Sequence, residues 1–133
     1  MADEKLLSTD TYIAAEDLSS YQFHFVKLDA NEQVALINSD AESVRALYVL
    51  QNNPAAGEEA FVSFHGVTKI VTGAAALAIG TKVKAEWVGA ADNGKAIIAD
   101  TDLQYVNGEI VKASTAEDEL AEMQQVHYTL NIT

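Results

Sequence analysis

The sequence predicts an all-β domain: a small β-barrel or β-sandwich of short antiparallel strands, with at most one or two short helical turns and an extended N-terminal arm. Three observations carry that prediction. Short runs alternate apolar and polar residues with the period of a strand, as in Thr81–Val88 and Val126–Ile132. Turn residues recur between such runs: Asn52, Asn53, Pro54 and Gly57, then Asn93-Gly94, then Asn107-Gly108. No segment sustains a helical period long enough to form a stable helix. The 133 residues suit one domain, divided as an arm at 1–18 and a β domain at 19–133.

The arm opens the chain. Met1 to Asp10 is acidic and lacks periodicity. It reads as a frayed end or as an arm that orders on a partner, with Asp3 and Glu4 as charges and Leu6, Leu7, Tyr12 and Ile13 as apolar grip. No basic n-region and apolar core of a signal peptide follow, and no run approaches the ~20 apolar residues of a membrane span.

Tyr21–Leu28 predicts the first strand, with Tyr21, Phe23 and Phe25 on one face and Gln22 and His24 on the other. Asp29–Glu32 turns the chain and Gln33–Ile37 returns. Asp40–Leu47 fits either one helical turn capped by Asp40 or, preferred, a strand from about Val44. The next strand runs to Leu50. Asn52, Asn53, Pro54, Gly57 and Glu58 then form a surface turn: Pro54 fixes one φ and Gly57 permits a positive one. Phe61–Thr72 is rich in β-branched and aromatic residues and predicts a long strand, bent or bulged at Gly66.

Ala74–Ala78 is a helical turn or tight loop ending at Gly80. In Thr81–Val88, Val83, Ala85 and Trp87 face the core while Lys82, Lys84 and Glu86 face water. Asn93-Gly94 turns the chain into Lys95–Ala99, and Asn107-Gly108 into the strand Glu109–Ala113. Ser114–Gln124 is a solvated acidic loop or a single helical turn. The last strand is Val126–Ile132, with Val126, Tyr128, Leu130 and Ile132 inward.

Chemistry is sparse. His24, His65 and His127 are far apart, and His24 and His127 fall on polar strand faces, so a shared metal site is not expected. Asp100 and Asp102 lack the spacing of a calcium loop. No nucleophile elbow and no phosphate loop occurs. The chain has no Cys, hence no disulfide or thiolate site. Catalytic residues, cofactors and metals are therefore expected to be none. The net charge of −12, from 8 bases and 20 acids, should keep the chain soluble and repel nucleic-acid phosphates and anionic membranes.

Three runs carry a likeness: VLQNNPAAGEEAFVSFHGVTKIVTG, GTKVKAEWVGAADNGKAI and GEIVKASTAEDELAEMQQVHYTL. Together they resemble the capsid decoration, or cement, proteins of tailed bacteriophages. The matching residues are Asn53, Pro54, Ala55, Ala56, Gly57 and Glu58, then Gly66, Val67, Lys69, Val71 and Gly73. The likeness covers about Val44 to Leu130; the segment before Tyr21 and the stretch Ala116–Gln125 depart from it. It implies a β-tulip-like fold and a non-enzymatic role on the outer surface of an expanded phage capsid. There the protein, made in the host cytoplasm, would brace neighbouring subunits of the major capsid protein, often as a homotrimer, with no nucleic acid or membrane as partner. Removing residues 2–18 is expected to weaken capsid binding and leave the fold intact. The alternative is a receptor- or glycan-binding β module of a virion or cell surface. It is disfavoured by loops made of Gly, Ala, Asp and Asn.

Overall fold

The protein is represented by a computed structural model that describes residues 7–73, 76–88, 93–99 and 105–129. Among them the chain is all-β and antiparallel. The strands are β1 (Leu7–Ile13), β2 (Phe25–Leu28), β3 (Val34–Ala35), β4 (Tyr48–Leu50), β5 (Glu59–Val71), β6 (Lys82–Ala85), β7 (Ala96–Ile98), β8 (Tyr105–Lys112) and β9 (Leu120–Thr129). A 3-10 helix at Asp40–Arg45 is the only helical segment among the described residues.

The sheet runs β3-β2-β4-β5-β9-β8-β6-β7, with β1 added to β5. β5 is its spine. The first half of β5 lies between β1 and β4, and the second half pairs with β9. The exchange falls at Gly66: Leu7↔Gly66 is the end of the β1 ladder and Val67↔Gln124 the start of the β9 ladder. Gly66 has φ 107°, a value that favours glycine, so the residue that interrupts the strand pattern is where β5 changes partners.

The sheet curls until its ends meet the spine or its neighbours. Ala14 bridges Val34, and Ala15 N–H donates to Val34 O at 2.8 Å, which ties the end of β1 to β3. Thr72 bridges Ala96, and Gly73 N–H donates to Ala96 O at 2.8 Å, which ties the end of β5 to β7. Each side of β5 thus encloses its own core. The smaller holds Ala14, Leu18, Val26, Val34, Leu50, Ala60 and Val62. The larger gathers Phe25, Val49, Ile70, Val83, Ile110 and Met123, among others. Phe25 and Val26 are adjacent in β2 yet enter different cores, as do Val49 and Leu50 in β4. Alternation does this: consecutive strand residues point to opposite faces, and here both faces are covered.

Several boundaries differ from expectation. The stretch before Phe25 is not strand: Tyr21–His24 is a turn, with Phe23 at φ 62°. Asp40–Arg45 takes the helical turn, and strand begins at Tyr48, not Val44. Asn107-Gly108 does not turn the chain. It lies inside β8, at an irregularity in the β8–β9 register. The Asn-Gly pair is used there for burial: Asn107 Nδ2 donates to Ala46 O at 3.0 Å, and Ala85 N–H donates to Asn107 Oδ1 at 3.2 Å. The acidic stretch Ser114–Asp118 is a turn, and β9 begins at Leu120, six residues before the expected Val126. Ala121, Met123 and Gln125 are buried, whereas Tyr128, expected inward, is exposed near the end of the strand. Leu130 and Ile132, and the Asp100 and Asp102 carboxylates, lie outside the described residues.

The β6 facing also changes. Lys84 is buried with Val83 and Ala85, while Trp87 is 38% exposed beyond the end of the strand. Lys84 is thus buried on the face that alternation assigns to water, with its neighbours Val83 and Ala85 buried as well.

Candidate functional site

The two segments singled out in the sequence, the N-terminal arm and the turn after β4, meet at one end of the molecule. Asp3, Glu4 and Leu6 lie outside the described residues. Leu7, Tyr12 and Ile13 are residues of β1, which pairs with β5 along its whole length, down to Ile13↔Glu59. Ala14 N–H donates to Glu58 O at 2.9 Å, and Gly57 N–H donates to Ala14 O at 2.9 Å. Ala14 and Leu18 are buried. The division after Leu18 therefore does not coincide with a break in packing. Removal of residues 2–18 would strip β5 of a neighbour and take Ala14 and Leu18 from the smaller core.

The turn is built from its own side chains. Asn52 Nδ2 donates to Glu59 O at 2.9 Å and its Oδ1 accepts Phe61 N–H at 2.9 Å, so one amide closes the base of the loop. Glu58 Oε1 accepts Ala55 N–H at 2.8 Å. Gly57 has φ 84° and no atom near its missing Cβ: backbone conformation, not space, requires glycine. Asn53, Gly57 and Glu58 are exposed, as a surface tip requires. Pro54 is not: it is buried, and its carbonyl accepts Leu18 N–H at 2.9 Å. The proline is a peg that fixes the turn to the segment after β1.

Two exposed faces flank this seam. On one, Ile13 and Phe61 are 40% and 44% exposed beside Glu59. On the other, Tyr12, Tyr48 and Phe64 form a row of edge-on rings across the mouth of the smaller core, with centroids 6.1 Å and 6.3 Å apart. Tyr12 OH donates to Asp10 Oδ2 at 3.3 Å. Burial, then the neighbouring Tyr48 and Asp10, push the Tyr12 phenol up to about 12. Sequence reading missed this row: Tyr48 and Phe64 meet only because Val49 pairs with Ser63 in the adjoining register.

The seam is acidic. Asp10, Glu16, Asp17, Glu58 and Glu59 are all exposed, while residues 7–26 and 46–68 hold no Lys or Arg. The Ser19 hydroxyl and N–H hold the Asp17 carboxyl below its ordinary range. Basic residues sit elsewhere: Lys27 bonds Glu42 at 2.7 Å and Lys95 bonds Asp118 at 2.6 Å.

An open cleft of about 250 Å³ lies over the middle of β5, lined by Leu7, Phe23, Gln51, Val67, Thr68, Lys69 and Glu122. Its polar atoms are largely committed: Gln51 Nε2 donates to Thr68 Oγ1 at 2.8 Å and lies 3.1 Å from Ser63 Oγ, and Lys69 Nζ lies over the Phe23 ring at 5.9 Å. The three histidines do not meet. His24 is buried edge-on to Tyr21, His65 is exposed, and His127 is stacked on Tyr105, where burial lowers its pKa. Among the described residues no three His, Asp or Glu side chains converge as metal ligands.

No protein-family model and no curated relative matches this chain in sequence. Its fold is similar to a solved structure described as the crystal structure of the head fiber gp8.5 N base in bacteriophage phi29. The TM-score is 0.61 at 15% identity, over 96% of this chain and 100% of that one.

Proposed function

We propose that this chain is a non-enzymatic structural protein of a phage particle. It binds the outer surface of the expanded capsid as a homotrimer and braces adjacent subunits of the major capsid protein. The observation that carries the reading is the fold likeness to a phage head fiber base, which spans nearly the whole of both chains. The decoration-protein resemblance of the β4–β5 and β9 segments points the same way. The physical logic is consistent: a shell strained by packaged DNA gains from added contacts between subunits, and a chain of charge −12 stays soluble at high copy number without adhering to DNA.

The test is to mix the protein with expanded and unexpanded shells and image the particles. Added density at local symmetry axes of expanded shells alone is the expected result. Bare shells in both samples would overturn the proposal.

A second reading, a receptor- or glycan-binding module, draws support from one feature that the sequence did not promise. Trp87 and Val88 are exposed next to the β6–β7 connection, and an exposed indole is a common platform for a sugar ring. Glycan-array binding that Trp87→Ala abolishes, without affinity for shells, would favour it.

A further inference from the structure

We propose that the outer edge of β1 is a docking edge for an extended strand of a partner protein, one that alternates cationic and β-branched residues, and that the same edge rejects a second copy of this chain. The inference is independent of the virion reading.

β1 is hydrogen-bonded along one side only. The Ala14–Glu58 bond fixes the alternation, so Asp10, Tyr12 and Ala14 direct their N–H and C=O groups toward β5. Thr9, Thr11 and Ile13 direct theirs away. From the Ile13 carbonyl onward the outer side is closed, because the parallel bridge of Ala14 to Val34 engages that carbonyl and Ala15 N–H donates to Val34 O. Before it, no backbone partner meets these groups among the described residues; Thr11 N–H is met only by its neighbour's Asp10 Oδ1, at 2.9 Å. A stretch of about 14 Å of strand edge is thus available.

Edges of this kind are a template for strand addition, and chains blunt them with proline or lysine. β1, LSTDTYI, has neither. It has the bulge between Ser8 and Thr9, which ends the flat stretch on one side without covering it.

Charge selects the occupant. The exposed charges of β1, the segment after it and the β4–β5 turn are Asp10, Glu16, Asp17, Glu58 and Glu59, with no Lys or Arg in those stretches; Lys27, which shares a cleft with Glu16, is held by Glu42 at 2.7 Å. Pairing β1 with β1 of a second copy would bring two such acid-rich surfaces within a Debye length. A cationic strand gains from the same field. The two faces then set its pattern. Residues beside Asp10 meet a carboxylate, and residues beside Thr11, Ile13 and Phe61 meet exposed apolar surface. The matching strand alternates Lys or Arg with Val or Ile.

The test uses the full chain and three capped heptapeptides, KVKVKVK, EVEVEVE and the proline-broken KVKPKVK, read by amide NMR and titration. KVKVKVK is expected to bind, to perturb the amides of Thr9, Thr11 and Ile13, and to weaken as salt rises. The other two are expected not to bind. Thr11→Pro removes an outward N–H and should weaken KVKVKVK by about tenfold while leaving the sheet intact. Should that variant fail to fold, Asp10→Lys should instead reverse the preference toward EVEVEVE. Equal binding of KVKPKVK, binding that neither substitution changes, or no binding of KVKVKVK would overturn the docking edge. A dimer that Thr11→Pro dissolves would overturn the rejection of a second copy.

Discussion

Gly94 and Phe25 touch backbone to backbone. Phe25 N–H donates to Gly94 O at 2.7 Å, and a Cβ built on Gly94 would stand 2.5 Å from the Phe25 carbonyl oxygen. The contact joins the segment entering β7, the last strand of the order, to β2, the second, and so helps close the larger core.

Gly94→Ala should therefore be costly for two separate reasons. It places a side chain at φ 91° and forces backbone apart in a buried position. The expected loss is about 3 kcal/mol in urea unfolding. Gly57→Ala has a positive φ but open space around it, and should cost only about 1 kcal/mol. Equal losses at the two sites would show that the close approach at Gly94 carries no weight.

Asn107 holds β8 to two other elements through bonds to the Ala46 carbonyl and the Ala85 amide, and it is fully buried. Asn107→Leu leaves both backbone groups without that partner inside the core. A loss of about 2–4 kcal/mol is expected, against under about 1 kcal/mol for a polar substitution at exposed Asn53.

Tyr12 makes stability depend on alkaline pH. Its folded pKa, about 12, lies above the ordinary value of 10.0, so the folded state holds the phenolic proton more tightly than the unfolded chain does. The stabilisation is complete below pH 10 and disappears as pH rises through about 12. Tyr12→Phe should flatten the part of the denaturation-versus-pH curve that lies in this window. An unchanged slope would remove Tyr12 as its source.

Thr72 anchors the acidic turn. Its Oγ1 donates to Ala116 O at 2.8 Å and accepts Glu119 N–H at 3.2 Å. Glu119 completes the turn by accepting Thr115 N–H at 2.7 Å and Ala116 N–H at 3.1 Å, and these bonds hold its carboxyl below the ordinary range. Thr72→Val should cost about 1–2 kcal/mol and raise hydrogen exchange at Ala116 and Glu119. The Glu119 contribution is present above the ordinary carboxylate pKa and is lost as pH falls through its depressed value. A Glu119→Gln chain should show a weaker acid dependence.

Truncation separates the arm from the domain. Deleting residues 1–18 should give a chain without cooperative unfolding, since Leu18 and Ala14 leave the core and β5 loses its β1 ladder. A cooperative transition in the truncated chain would restore the view of this segment as an appendage.

Much of the strand layout was legible locally. The hairpin around Asp29–Glu32, the long strand after Gly57 and the pairing of the Lys82 and Ala96 segments all follow from alternation and turn residues, although β5 runs unbroken through Gly66 and its register irregularity falls at Ser63–His65. Asn107-Gly108 shows where such reading fails. The same dipeptide that turns a hairpin also suits a bulge. A Cβ at Gly108 would collide with Met123, fifteen positions further on, which is invisible to any local pattern. Lys84 is buried and Trp87 exposed, the reverse of what alternation alone assigns, because β6 ends at Ala85 and Trp87 lies beyond it.

What the sequence determined by itself was the class of fold, the absence of disulfide chemistry and the strong acidity, since these depend on residue type and short-range periodicity. It also placed the arm and the turn, but as separate features. Only the tertiary structure decided that they lie side by side. A residue's neighbours along a strand are set by alternation, but its neighbours across a sheet are set by register, and register is fixed by packing of the whole core. That is why Leu7–Ile13, read alone as a loose arm, is a strand on the spine, and why the edge it presents lies beside the acidic turn.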